Sequence, residues 1–195
     1  MQNELFNEEI EDSAEENTKN YVNADLGGQS FFNLEFNNCD FTGAHLQNTE
    51  FESCRFIDCN ITNPLINQTR FIDVSFSGCK LLGVGFFQAN PFALDISFEN
   101  CRLSNCNFTD LKIHNTIFRK CEIVECYFQN TDLNGACFDG SSFRETLFHE
   151  SIIERSSFIN SSGYDINPLN NRLKGAVFST PDVLNLLNCF GIKIK

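Results

Sequence analysis

Tryptophan is absent from this chain, although phenylalanine supplies 22 of its 195 residues. An aromatic content drawn almost wholly from one side chain points to one structural role used many times, not to the mixed positions of an ordinary core. Also missing is any run of 18 apolar residues, which leaves no candidate membrane-spanning helix. No N-terminal stretch joins a positive start to an apolar segment of signal-peptide length, so a soluble, cytoplasmic protein is expected. Cationic side chains are scarce: 14 Lys and Arg face 26 Asp and Glu, for a formal charge of −12. Binding nucleic acid directly needs cations that displace phosphate counterions, so a basic protein surface is the better-matched partner.

The usual catalytic signatures are missing too. His45, His114 and His149 form no Cys/His pattern of zinc spacing, and no glycine-rich loop, nucleophilic serine turn or dinucleotide fingerprint is found. Paired carboxylates such as Glu122 and Glu125 occur, but acid/base chemistry needs a concave, desolvated site. The expectation is a protein without enzymatic activity, metal or cofactor.

What the chain does have is a period of five. A large apolar residue recurs at every fifth position from Leu26 through Phe31, Phe36, Phe41 and onward to Phe86, then from Phe98 to Phe158 after a slip of two residues. Five fits neither the 3.6 of a helix nor the 2 of a half-buried strand, whereas a solenoid explains it. A small residue two places before most of these centres gives two inward and three outward positions per unit. In steps of twenty, with the slip, Phe36, Phe56, Phe76, Phe98, Phe118, Phe138, Phe158 and Phe178 form one column. Four pentapeptides therefore make one turn of a square coil, and stacked coils should lie about 4.8 Å apart. The predicted fold is all-β: a right-handed quadrilateral β-helix over 21–178 with a short C-terminal helix.

Eight of the ten cysteines fall in the small inward slot, where a thiol is a compact filler. Column spacing is poor geometry for a disulfide, whose Cβ atoms prefer about 3.8 Å. Cys137, in an outward slot, and Cys189, beyond the repeat, are the two thiols open to reaction, and inertness is the simpler reading of both.

Residues 1–20 carry seven acids against Lys19 alone. Such a composition favours a disordered arm or a frayed helix, serving either as a solubilising tail or as a reach toward the partner. The interruption spans 87–97, where Asn90, Pro91, Phe92, Leu94 and Asp95 form either a functional loop or a tolerated insertion with Phe92 or Leu94 tucked over the coil. After Phe178, Ser179-Thr180-Pro181-Asp182 reads as a capped helix start. Val183, Leu186, Leu187 and Phe190 then fall on one helical face flanked by Leu184, Gly191 supplies the stop, and Ile192 to Lys195 alternates like a strand. This 179–195 cap either folds back on the last coil or pairs with a second copy.

The Ala24-Asp25-Leu26-Gly27-Gly28 unit and the small-polar-Phe units after it resemble the pentapeptide-repeat family from about residue 21 to 178. The single mid-rod break, Tyr164-Asp165-Ile166-Asn167-Pro168 and the closing Leu186-Leu187-Asn188-Cys189-Phe190-Gly191-Ile192 are similar to its microcin-immunity and Qnr-type quinolone-resistance branch. That resemblance implies a rod dimerised through its C-terminal caps. Its acidic surface would imitate duplex DNA, bind DNA gyrase or topoisomerase IV, and protect the enzyme from drugs or toxins. It also implies that Asn90, Pro91, Phe92, Leu94 and Asp95 form a loop touching the enzyme. Outward acids, among them Asp132, Asp139, Glu145, Glu150 and Glu154, are compatible with steering toward a cationic groove. Arginines interrupt them, which leaves a scaffold for an unrelated protein as the alternative. The acidic N-terminal extension and the cysteine column depart from that branch.

Overall fold

Residues in the left-handed conformation at every fifth position, most of them glycine, asparagine or aspartate, determine how the backbone turns. In the computed structural model, which describes residues 14–193, these residues sit at the corners of a four-sided β-solenoid. Corner residues that are not glycine hold φ between 47° and 62°. Side chains other than those of Asn, Asp and Gly adopt this left-handed conformation at a cost, which explains the composition of the corners.

Each side takes its name here from its inward column. Side 1 carries Phe36 to Phe178, side 2 Phe41 to Phe143, side 3 Leu26 to Ile166, and side 4 Phe31 to Leu173. The pairing is parallel throughout, with a step of twenty as in Phe36↔Phe56 and Ile61↔Leu81. Strand Arg70–Ser77 runs from side 4 round into side 1, so these two share one sheet. Side 3 is held mostly by single bridges such as His45↔Leu65 and Asn107↔Tyr127.

The interior is filled. Along the Phe36 column, successive rings stack with centroids 4.8 to 5.2 Å apart, matching the spacing of paired strands. A second stack runs through Phe86, Phe108, Phe128 and Phe148. Between columns the rings meet edge to face, as with Phe118 and Phe128 at 5.7 Å and 89°. Offset stacking within columns and edge contacts across them are both favoured by the ring quadrupole.

The eight inward cysteines are buried and form no disulfide. They are more than fillers, because the thiols also donate to backbone carbonyls of the coil above: Cys59 to Phe36 O at 3.1 Å, Cys79 to Phe56 O and Cys101 to Phe76 O at 3.3 Å. Lower in the rod Ser141 and Ser161 make the same bond, to Phe118 O and Phe138 O at 2.6 and 2.7 Å. Cysteine, serine and threonine share the slot because each is small and carries a donor.

Three boundaries differ from expectation. Strand Ala14–Asn17 pairs with Leu34–Asn37 in the regular step, so coil structure begins ahead of residue 21. The rest of the acidic arm, 1–13, lies outside the described residues. The C-terminal helix, Asp182–Phe190, is a 3-10 helix with no side-chain cap, although Gly191 does end it in the left-handed conformation. Ile192 and Lys193 form no strand, and 194–195 lie outside the described residues.

Candidate partner-binding surface

The interruption is shorter than 87–97, because the backbone keeps its step of twenty for as long as it can. Phe86–Gln88 is a 3-10 turn within the coil, Ala89 is buried, and Asn90 N still donates to Thr69 O. The register then jumps to Phe71↔Leu94 and relaxes to Val74↔Ile96. Three residues, Pro91, Phe92 and Ala93, are thus extruded, and a bulge removes one again. Asn90 closes the turn: its Oδ1 accepts from Phe92 N at 3.0 Å and its carbonyl from Ala93 N at 3.2 Å. Proline at the second position presets φ for such a turn. Phe92 is left 97% exposed, while Leu94 packs against the core. Of the two residues that could tuck, Leu94 does. Asp95 is exposed, beside a shallow groove that it shares with Lys112 and His114 on side 4.

The five candidate acids do not form one patch. Asp132 and Glu154 project from side 4, Glu150 stands at the corner between sides 3 and 4, Asp139 is on side 1, and Glu145 is at the corner of sides 2 and 3. Asp132 contacts His114 Nε2 at 2.8 Å and accepts from Asn134 N. Asp139 accepts from Ser157 Oγ and Ile159 N, and Glu154 pairs with Arg172 at 2.8 Å. Glu145 and Glu150 are exposed, Glu150 with only a 3.9 Å approach from His149. A groove brings Asp132 and Glu150 together with Asp110 and Asn130.

A family model described as the pentapeptide repeat region matches residues 29–91 and 94–167. The chain belongs to the pentapeptide-repeat family. The break in that match falls on Phe92 and Ala93, inside the extruded turn. Among solved structures, QnrB1, a plasmid-mediated fluoroquinolone resistance protein, is similar at 20% identity over 94% of this chain and 98% of that one, with a TM-score of 0.48. HetL, a pentapeptide-repeat protein involved in heterocyst differentiation regulation in Nostoc sp. strain PCC 7120, shares 14% over 84% and 82%, with a TM-score of 0.29. No curated protein sequence matches the chain. No helix among the described residues is long and apolar enough to cross a membrane.

At the foot of this pentapeptide-repeat rod the side 2 column runs out at Gly163. The ring of Tyr164 fills the gap, edge-on to Phe143 and Phe158, with its hydroxyl buried and unpaired. Burial, then the Asp182 carboxylate, push its phenol up to about 12. In the 3-10 helix beyond, residues three apart eclipse, so the apolar set divides into Val183 with Leu186 and Leu184 with Leu187 and Phe190. Leu186 packs on the core, whereas Leu184 and Phe190 are 41% and 54% exposed.

Sorting outward residues by side reveals features that the list of acids missed. On sides 1, 2 and 4, arginines pair with acids in the neighbouring coil: Arg55 with Glu35, Arg102 with Glu122, Arg70 with Glu50. Among the described residues side 3 holds no Lys or Arg. Counting by twenty along the sequence would have found both.

Proposed function

We propose that this protein binds a type II topoisomerase, DNA gyrase or topoisomerase IV, and shields it from quinolone-like drugs or peptide toxins. The observation that carries this reading is the turn at Asn90–Ala93, which holds one bare aromatic ring away from an otherwise regular acidic rod. It stands where the Qnr-type resemblance calls for an enzyme-contacting loop. A filled interior leaves the outer surface to do the work, which suits a binding protein better than an enzyme. Pro91, Phe92 and Asp95 reach outward and engage the enzyme, with Asn90 and Leu94 fixing the turn. Asp132, Asp139, Glu145, Glu150 and Glu154 supply the field that draws a cationic groove.

The rod pairs with a second copy through its cap, using Leu184, Leu187 and Phe190 while Val183 and Leu186 brace the helix. Leu187→Asp should halve the solution mass by sedimentation, and an unchanged mass overturns the dimer.

The test of function is gyrase supercoiling with purified protein, with and without a fluoroquinolone and a peptide gyrase poison. Rescue, or inhibition that extra DNA relieves, is expected, and Phe92→Ala should weaken either effect. No effect on gyrase or topoisomerase IV overturns the reading. The alternative, a scaffold for an unrelated protein, is favoured by one observation: cross-coil ion pairs neutralise acids on three sides, so the rod is not evenly negative as duplex DNA is.

A further inference from the structure

Between Phe36 and Ile159, the large apolar residues left exposed are Phe92 on its turn and four on side 3: Leu65, Phe87, Tyr127 and Leu147, each 42–49% accessible. The ladder His45↔Leu65, Gly85↔Asn107, Asn107↔Tyr127 and Tyr127↔Leu147 puts Leu65, Tyr127 and Leu147 in one line down the rod, with Phe87 beside it. Within that line Gly85 carries no side chain and Asn107 is polar, so the apolar surface falls into two segments, Leu65 with Phe87 and Tyr127 with Leu147, and a depression over Gly85 is walled by Leu65, Phe87 and Asn107. A monomer's surface rarely aligns apolar residues this way without a partner to cover them.

Charge says what kind of partner. Among the described residues side 3 lacks lysine and arginine. Its lower half is edged by acids at both corners, Glu125 and Glu145 toward side 2, Asp110 and Glu150 toward side 4. Arg144 and Lys112 lie round those corners, on the neighbouring sides. An apolar strip between two acidic edges complements apolar side chains flanked by cations. A second copy laid against it by the same side would oppose acid with acid, with no lysine or arginine to separate them and only the imidazole of His149 beside Glu150.

We propose that side 3 is the face that docks the partner, and that it takes a protein surface with apolar side chains flanked by lysine or arginine. This inference rests on the topoisomerase reading for the partner's identity.

The test sets Tyr127→Lys with Leu147→Lys against Phe32→Lys with Ile159→Lys, which place the same charges on exposed apolar positions of sides 4 and 1. Affinity for purified gyrase is measured for each, along with thermal melting and sedimentation mass. The side 3 pair should weaken binding by about tenfold or more while the control pair leaves it within about threefold. Equal losses, or a loss in the control pair alone, overturn side 3 as the docking face and leave the topoisomerase reading standing. A fall in mass with the side 3 pair makes this face a contact between copies and overturns the inference. Absence of wild-type binding to gyrase and topoisomerase IV overturns both. Should the lysine pair melt early, a photo-crosslinking phenylalanine analogue at Tyr127, compared with one at Ile159, decides the matter: crosslinks to gyrase at 127 support the face, and crosslinks confined to 159 overturn it.

Discussion

Sides 1 and 3 share an interior and differ outside. Inward, side 1 throughout and side 3 from Phe86 to Phe148 are stacks of rings at nearly one spacing, 4.9 Å between Phe118 and Phe138 and 5.0 Å between Phe128 and Phe148. Outward, side 1 carries two arginine–acid pairs that meet across coils, Arg55 with Glu35 at 3.6 Å and Arg119 with Glu99 at 3.9 Å. Side 3 presents Tyr127 and Leu147 with no cation beside them. The inward columns and the parallel backbone ladders serve both sides alike, so the difference between them lies in their outer residues.

The strongest way to break this comparison is at the rings. Phe118→Ala on side 1 and Phe128→Ala on side 3 should each cost about 3 to 5 kcal/mol in denaturant unfolding, because both leave a cavity between fully buried neighbours. A large disparity would show that the two columns do not share the load. Tyr164→Phe, at the foot of side 2, should gain up to about 1 kcal/mol by removing an unpaired hydroxyl. It also bears on pH. A phenol whose value rises from 10.0 to about 12 in the fold contributes stability below pH 10 that is lost as pH climbs toward 12, so wild type should weaken over that window more than the variant. Glu145→Asn, at the corner beside Leu147, should add about 0.5 kcal/mol, since Glu145 sits at φ 50° where asparagine is better tolerated. Arg119→Ala on side 1 should change stability by less than about 0.5 kcal/mol, as exposed pairs usually do. A larger loss there would mean that the outer ion pairs help to hold the coil.

Much of this architecture is legible in the sequence because a five-residue period leaves few alternatives. The Phe36 column, the inward thiols without disulfides and the helix stop at Gly191 all follow from counting. The 3-10 form of Asp182–Phe190 does not, since apolar spacing over nine residues suits periods of 3.0 and 3.6 nearly alike. Strand Ala14–Asn17 was hidden by its acids: Glu15 and Glu16 look like an arm, yet the backbone pairs with Leu34–Asn37 regardless. Within the interruption, proline marked the turn, but only the jump from Phe71↔Leu94 to Val74↔Ile96 shows which residues leave the coil. The acids were visible as residues and their arrangement was not, because outward side chains gain meaning only when assigned to a side.

The step of twenty also constrains how such a chain can change through descent. Gaining or losing twenty residues adds or removes one coil and leaves each remaining residue on its own side. Gaining five would move everything downstream by a quarter turn, and the strip from Leu65 to Leu147 would be split between two sides. The two-residue slip before Phe98 avoids this: the extra chain is expelled at Pro91–Ala93, and Phe76↔Phe98 resumes the column. The turn that displays Phe92 is therefore also the place where extra residues are accommodated without rotating the lower half of the rod against the upper.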